Sequence, residues 1–362
     1  MKKLYSKYFL GANSCEGFVS AFAESYDPTD GWRAILIKGG PGTGKSSFMK
    51  YIAAKAQRKG LKTILCPCSS DPDSLDGVII PERKTVLLDA TAPHIVEPKF
   101  PGACEEILNL GEYWNSDKLR KCADKIIAAT ECNKLIHRTA SRYLAAAGQL
   151  LLDDLRLAND CTDTDAAERF AAGLCRRSIP DRVGKTVSPR EQVRFIEGVT
   201  PLGIVTYCKS ITDECKNITV IQDKHGSVSG LIMRRVREYA LDKGYNIITV
   251  KNPFMPSLLI DHIVIPELSL AFVTENEYLK FDTDSRRIHS RRFTDINALK
   301  QHRSRMLFDL RAARELTESA CATLARAKSS HDLLERLYIE SMNFEALSSD
   351  AEGIAEKILR DT

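Results

Sequence analysis

Two stretches of this chain share one outline in their apolar positions. Residues 34–37, AILI, are a short unbroken apolar run, which suits a strand buried on both faces. A glycine-rich turn follows, and then Phe48, Met49, Ile52, Ala53 and Ala56 recur at helical spacing. Further on, residues 218–221, ITVI, lead into a short Gly/Ser turn, after which Ile232, Met233 and Val236 keep the same spacing. The runs KTILCPC and TVLLD predict more buried strands. Residues 117–175 and 298–359 carry long apolar periodicity with few breakers (Leu119, Cys122 and Ile126; Leu144, Ala147 and Leu151 in the first) and predict long helices.

The turn after AILI has a chemistry of its own. Gly39, Gly40, Pro41, Gly42, Thr43, Gly44, Lys45 and Ser46 fill every fixed position of G-x-x-x-x-G-K-[ST], between a predicted strand and a predicted helix. Glycines let the backbone approach a phosphate closely, and the N–H groups of the loop and of the following helix end point at the anion. Lys45 is placed to reach the β- and γ-phosphates of a nucleotide and Ser46 to ligate Mg²⁺, with Ser47 next in the loop.

Without a gap, the second outline lies under the first. Gly42 falls on Gly226, Ile37 on Ile221, Phe48, Met49 and Ile52 on Ile232, Met233 and Val236, and Lys59-Gly60 on Lys243-Gly244. EGFVSAF, from Glu16, lies under LGIVTYC, from Leu202, and LDGVIIPE, from Leu75, under IDHIVIPE, from Ile260. The offset is nearly constant and close to half the chain, the mark of an internal duplication. The expected fold is therefore α/β: two tandem P-loop NTPase-like parallel-sheet domains, each with a helical hairpin or bundle appended. The expected boundaries are 1–180 for the active domain, 181–193 for a linker within the Pro- and charge-rich stretch RRSIPDRVGKTVSPREQ, and 194–362 for a degenerate domain. The helical extensions are expected to pack on their own cores, with an oligomer surface as the alternative.

The second repeat lacks the chemistry of the first. Gly39 is replaced by Asp223, Gly44 by Val228, Lys45 by Ser229 and Ser46 by Gly230. One chain is thus expected to hold one nucleotide. The same comparison sorts other residues. Asp76 and Pro81-Glu82 recur as Asp261 and Pro266-Glu267 and read as structural. Asp71 and Asp73, just past a predicted strand, become Pro256 and Leu258 and read as site candidates, with solvated turn acids as the alternative. Asp89, ending the run TVLLD, has the pattern of an acid that holds the Mg²⁺ shell, and the second repeat has Thr274 there. Thr91 and His94 become Asn276 and Leu279. Lys45, Asp89, Asp71 and Asp73 are the catalytic candidates, the two turn acids being those that would orient an attacking water.

Composition narrows the classes. The 362 residues are 43% hydrophobic and 28% charged, an ordinary globular balance, and a net charge of +4 gives no case for a nucleic-acid face. No apolar run is long enough to span a membrane, and the N-terminal MKKLYSKYFLGANS is too short in apolar residues for a signal peptide. Eleven cysteines without framework spacing read as reduced thiols of a cytoplasmic protein. Cys66 and Cys68 lack a second pair at zinc spacing and read as strand cysteines.

KGGPGTGKSSFMK, CSSDPDSLDGVIIPE, LLDATAPHIVEPKFPGA and EILNLGEYW together resemble an uncharacterised bacterial family of tandem-duplicated P-loop ATP-binding proteins. The resemblance extends over essentially the whole chain and is carried by the first repeat. It implies ATP binding and hydrolysis and supplies no substrate or pathway. That family often keeps a phosphate loop in both repeats, and this chain departs from it in the second. The resulting expectation is a Mg²⁺-dependent ATPase. Alternatives are a small-molecule or nucleotide kinase, in which Arg138 and Arg142 clamp phosphates, and a non-catalytic ATP-responsive switch in which binding reorders the helices; the acceptor or protein partner is unknown. GTP is disfavoured, because NKLI at Asn133 lacks the acid of N-K-x-D. The basic cluster at 284–293 is a candidate arginine finger, with a solvated loop as the alternative.

Overall fold

The structure, a computed structural model, describes residues 4–182 and 188–360. The first half runs β1 (Tyr5–Lys7), β2 (Gly11–Ser14), β3 (Gly17–Ser20), β4 (Arg33–Lys38), α1 (Lys45–Arg58), β5 (Thr63–Pro67), β6 (Leu75–Ile80), β7 (Thr85–Asp89), β8 (Glu105–Asn109), α2 (Ser116–Lys121), α3 (Ala123–Asp160) and α4 (Thr164–Ser178). The second runs β9 (Glu191–Arg194), β10 (Glu197–Thr200), β11 (Gly203–Thr206), α5 (Lys209–Glu214), β12 (Asn217–Gln222), α6 (Ser227–Asp242), β13 (Ile247–Lys251), β14 (Ile260–Ile265), β15 (Leu270–Glu275), β16 (Arg286–His289), α7 (Ile296–Gln301), α8 (Arg303–Ile339) and α9 (Phe344–Leu359). Of the expected linker, residues 183–187 lie outside the described residues, and 191–193 belong to β9.

Each half builds one six-stranded sheet, in the orders β1-β5-β6-β7-β4-β8 and β9-β13-β14-β15-β12-β16, so the second repeats the first strand for strand. The sheets are mixed, which corrects the expectation of parallel sheets. β6 runs antiparallel to both neighbours, and so does β14. The reason lies in the connections: β6 and β7 are joined by a single turn through Lys84, held at φ 42°, too short for the crossover a parallel pair requires.

Both faces of each sheet are buried, which explains the unbroken apolar runs. Along β4, Ala34 and Leu36 enter a core shared by the two sheets, while Ile35 and Ile37 face α1. β15 alternates likewise, with Ala271 and Val273 in the shared core and Phe272 facing α6. The halves meet about a local two-fold: Phe9 N–H donates to the Phe195 carbonyl at 2.8 Å and Phe195 N–H to the Phe9 carbonyl at 3.0 Å. α3 and α8, each about 55 Å long at 1.5 Å per residue, pack antiparallel, with Arg305 near Asp153 at one end and Ala140 and Leu144 among Ala320 and Leu324 further along.

The helical extensions do not pack on their own sheets. From α4, Ala167, Ala171, Leu174 and Cys175 join the core of the second sheet beside Ile232 and Met233. From α9, Leu347, Ala355, Ile358 and Leu359 join the core of the first beside Phe48 and Ile52. Each repeat thus closes the helical face of the other. Fully burying one such leucine or isoleucine contributes about 1.5–3 kcal/mol, so each swapped helix is worth several kcal/mol to the opposite half. Among the described residues no helix is long and apolar enough to cross a membrane, and all eleven cysteines are free thiols.

Candidate functional site

The glycine-rich loop joins the carboxyl end of β4 to α1, where an open α/β sheet presents ligands. Gly42 at φ 69° and Gly44 at φ 89° take left-handed conformations that a residue with a side chain resists, and Gly44 caps α1. Thr43 is buried and its hydroxyl donates to the Gly40 carbonyl at 2.8 Å. Lys45 folds back over the loop, its ammonium donating to the carbonyls of Gly39 at 2.9 Å and Gly40 at 2.8 Å. Asp89 ends β7, the parallel neighbour of β4, and its carboxylate lies 3.6 Å from the Lys45 ammonium. The Asp89 carboxylate also accepts from the Thr91 N–H at 3.0 Å and from the Thr91 hydroxyl. The Ser46 hydroxyl accepts from the Leu75 N–H at 2.9 Å, and Ser47 is exposed beside it. Lys45 and Asp89 are therefore brought together by two adjacent strands, with Ser46 next to Lys45 at the start of α1.

Asp71 and Asp73 are placed otherwise. Asp71 accepts from the Ser74 hydroxyl at 2.8 Å and pairs at 3.5 Å with Lys328 of α8. Asp73 is exposed, and its carbonyl accepts from Lys50 at 2.5 Å. The acid that does face Asp89 is Asp76, only 5% exposed. Burial, then the Asp89 charge, pushes its carboxyl up to about 8. His94, stacked on Phe22 at 4.6 Å, stands 3.4 Å from Asp76, and burial pushes its imidazole down to about 4. Cys68, Asp76 and His94 bring one sulfur, one oxygen and one nitrogen within 4.8 Å of one another, and two of the three are gone from the second repeat, which has Asn252 and Leu279. Sequence comparison set Asp76 aside because both repeats keep it. Only the fold reveals the like-charged neighbour.

The second repeat reaches into this site. Tyr338 and Glu335, near the end of α8, lie against the loop so closely that a Cβ on Gly40 would meet the Tyr338 ring at 2.5 Å, and one on Gly42 the Glu335 carbonyl at 2.6 Å. His331, and to a lesser degree the Gly42 N–H, hold the Glu335 carboxyl below its usual range. No motif marks α8 residues for this role. They arrive only because α8 crosses to the opposite repeat. The basic stretch at 286–292 stays at the second sheet: Arg287 donates to the carbonyls of Thr283 and Phe281, and Arg292 lies over the ring of Phe170 on α4, which packs there. Arg138 and Arg142 are exposed on α3.

The aligned loop of the second repeat is closed by its own acid. Asp223, 3% exposed, accepts at 2.8 Å from the N–H of Val228 and at 2.8 Å from that of Ser229, with the His225 N–H at 3.2 Å. Val228 and Ser229 occupy the positions of Gly44 and Lys45. Without a glycine at 228 the left-handed cap retreats to Gly226, α6 starts earlier, and the carboxylate seals its N-terminus. A carboxylate thus stands where the motif would put a phosphate oxygen, and an anion does fit this end of the helix. The chain matches no family model, no curated protein and no solved structure.

Proposed function

We propose that the protein is a Mg²⁺-dependent ATPase with one working nucleotide site, formed by the first repeat and completed by α8 of the second. The observation that carries this reading is the pairing of Lys45 with Asp89, 3.6 Å apart, at the mouth of a glycine loop that caps a helix. Lys45 bonds two neutral carbonyls, and phosphate oxygens would offer its ammonium charged acceptors. The donor set also suits Mg²⁺: the Ser46 hydroxyl and the Asp89 carboxylate are hard oxygens at the loop, and they would hold an ion that neutralises charge on the β- and γ-phosphates. Asp76 and His94, behind Asp89, keep a neutral imidazole and a carboxyl easily protonated near neutral pH at the edge of the site. In this reading they, rather than Asp71 or Asp73, would hold a proton at the edge of the site.

The contact of Glu335 and Tyr338 with the loop supports a second reading, a switch. Phosphates entering the loop would compete with these α8 residues, and displacing them would move the long antiparallel pair α3 and α8. The full chain with ATP and Mg²⁺, assayed with and without a panel of acceptors, separates the readings. Free phosphate alone supports the ATPase, a phosphorylated acceptor the kinase, and tight binding without turnover the switch. Lys45→Ala is expected to abolish turnover and weaken ATP binding in a folded protein. Asp89→Asn should spare nucleotide binding more than Mg²⁺-dependent turnover. Wild-type turnover in folded Lys45→Ala protein refutes the assignment.

A further inference from the structure

Behind the sealed loop of the second repeat lies a cavity of about 90 Å³, between the carboxyl end of the second sheet and helices α3 and α8. Its lining holds three buried oxygens without hydrogen-bond partners: Asp154 Oδ1, Glu197 Oε1 and Thr274 Oγ1, on residues 3%, 3% and 2% exposed. Asp261 lines the same cavity, its carboxylate accepting from Asn252 at 3.0 Å. Buried polar atoms are rarely left unpaired, and like-charged buried carboxylates more rarely still. The lining cations do not meet this need. His225 is bonded to the other oxygen of Asp154, and Lys224 is exposed at the rim.

We propose that this cavity binds one hard divalent cation, of the Mg²⁺ or Mn²⁺ class, through Glu197, Asp261 and Thr274, with Asp154 bordering it. The unpartnered atoms are all oxygens, which selects a hard ion over a thiophilic one. The space suits an ion with a few waters rather than a nucleotide. The internal comparison gives the site a history. In the first repeat the carboxylate pair is buried Asp76 with half-buried Asp89, whereas in the second Asp89 has become Thr274 and the partner of Asp261 is Glu197, which starts β10 where the first repeat has Gly11. The second repeat has given up the phosphate-binding lysine while keeping a paired-carboxylate pocket. The inference does not depend on the ATPase reading.

Mn²⁺ titration of the nucleotide-free full chain, with free Mn²⁺ followed by electron paramagnetic resonance, tests it. One Mn²⁺ per chain is expected, displaced by Mg²⁺, with a rise in melting temperature. Glu197→Gln should weaken the affinity roughly tenfold or more by removing a charged ligand, and abolish the melting shift. In chelator it should melt no lower than the wild type, since the amide replaces a buried carboxyl with an unpartnered oxygen by a neutral group of the same shape. Thr274→Val provides a second, near-isosteric variant with the same direction of change. Asp89→Asn should leave this site intact. Absence of bound Mn²⁺ in the millimolar range, stabilisation by ammonium or K⁺ as strong as by Mn²⁺, or a bound ion that survives Glu197→Gln but is lost in Asp89→Asn overturns the proposal.

Discussion

Replacing Asp223 by Ala opens the sealed loop and measures what closes it. The carboxylate is buried and accepts three backbone N–H groups, at 2.8, 2.8 and 3.2 Å. Net hydrogen bonds to a charged group contribute about 1.5–3 kcal/mol each, and a buried donor left unmade costs about 1–3 kcal/mol. The 3.2 Å bond is long and counts for little, and water from the adjoining cavity can satisfy part of the exposed N-terminus. The expected loss is therefore about 3 kcal/mol, readable as a fall in the urea midpoint at unchanged slope. A second consequence is more specific. Once the carboxylate is gone, the N–H groups of Val228 and Ser229 and the end of α6 form an anion site, so sulfate or phosphate should restore much of the loss in the variant and do little for the wild type. A loss below about 0.5 kcal/mol, or equal stabilisation of both proteins by sulfate, would show that Asp223 does not hold this loop.

Asp76→Asn should change the pH dependence of stability. Its carboxyl titrates near 8 in the folded chain against an ordinary 3.8, so the folded state keeps a proton that the unfolded state has lost; the contribution is complete below the ordinary value and disappears as pH rises through about 8. At about 1.4 kcal/mol per pH unit, the variant should gain about 2 kcal/mol on the wild type between pH 6.5 and 8, in urea titrations at the two pH values; a constant difference would refute the burial of an ionisable pair there. Separated halves cut near residue 185 should each be insoluble and should yield soluble protein when produced together, because α4 and α9 cover the opposite sheets; a soluble, cooperatively unfolding first half alone would contradict the exchange of helices. Calorimetry should give one ATP per chain, and a second site surviving Lys45→Ala would refute the single-site reading.

Much of this architecture is legible in residue order. The runs AILI and ITVI, each followed by a turn and helical spacing, mark β4 with α1 and β12 with α6, because a strand buried on both faces needs apolar residues at every position. The loss of Lys45 and Ser46 chemistry from the second repeat is also visible in the chain itself. Sheet direction is not, since it depends on how short connections fold back, and β6 and β14 reversed the expectation. Nor is partnership: α4 and α9 are amphipathic wherever they pack, and periodicity says that a face is buried without saying against what. For the same reason Glu335 and Tyr338 could not be placed at the loop, nor Asp76 beside Asp89, nor Asp223 on the N–H groups it caps. Local chemistry is written in neighbouring residues, whereas the pairing of charges from distant segments is set by the way the two repeats close over each other.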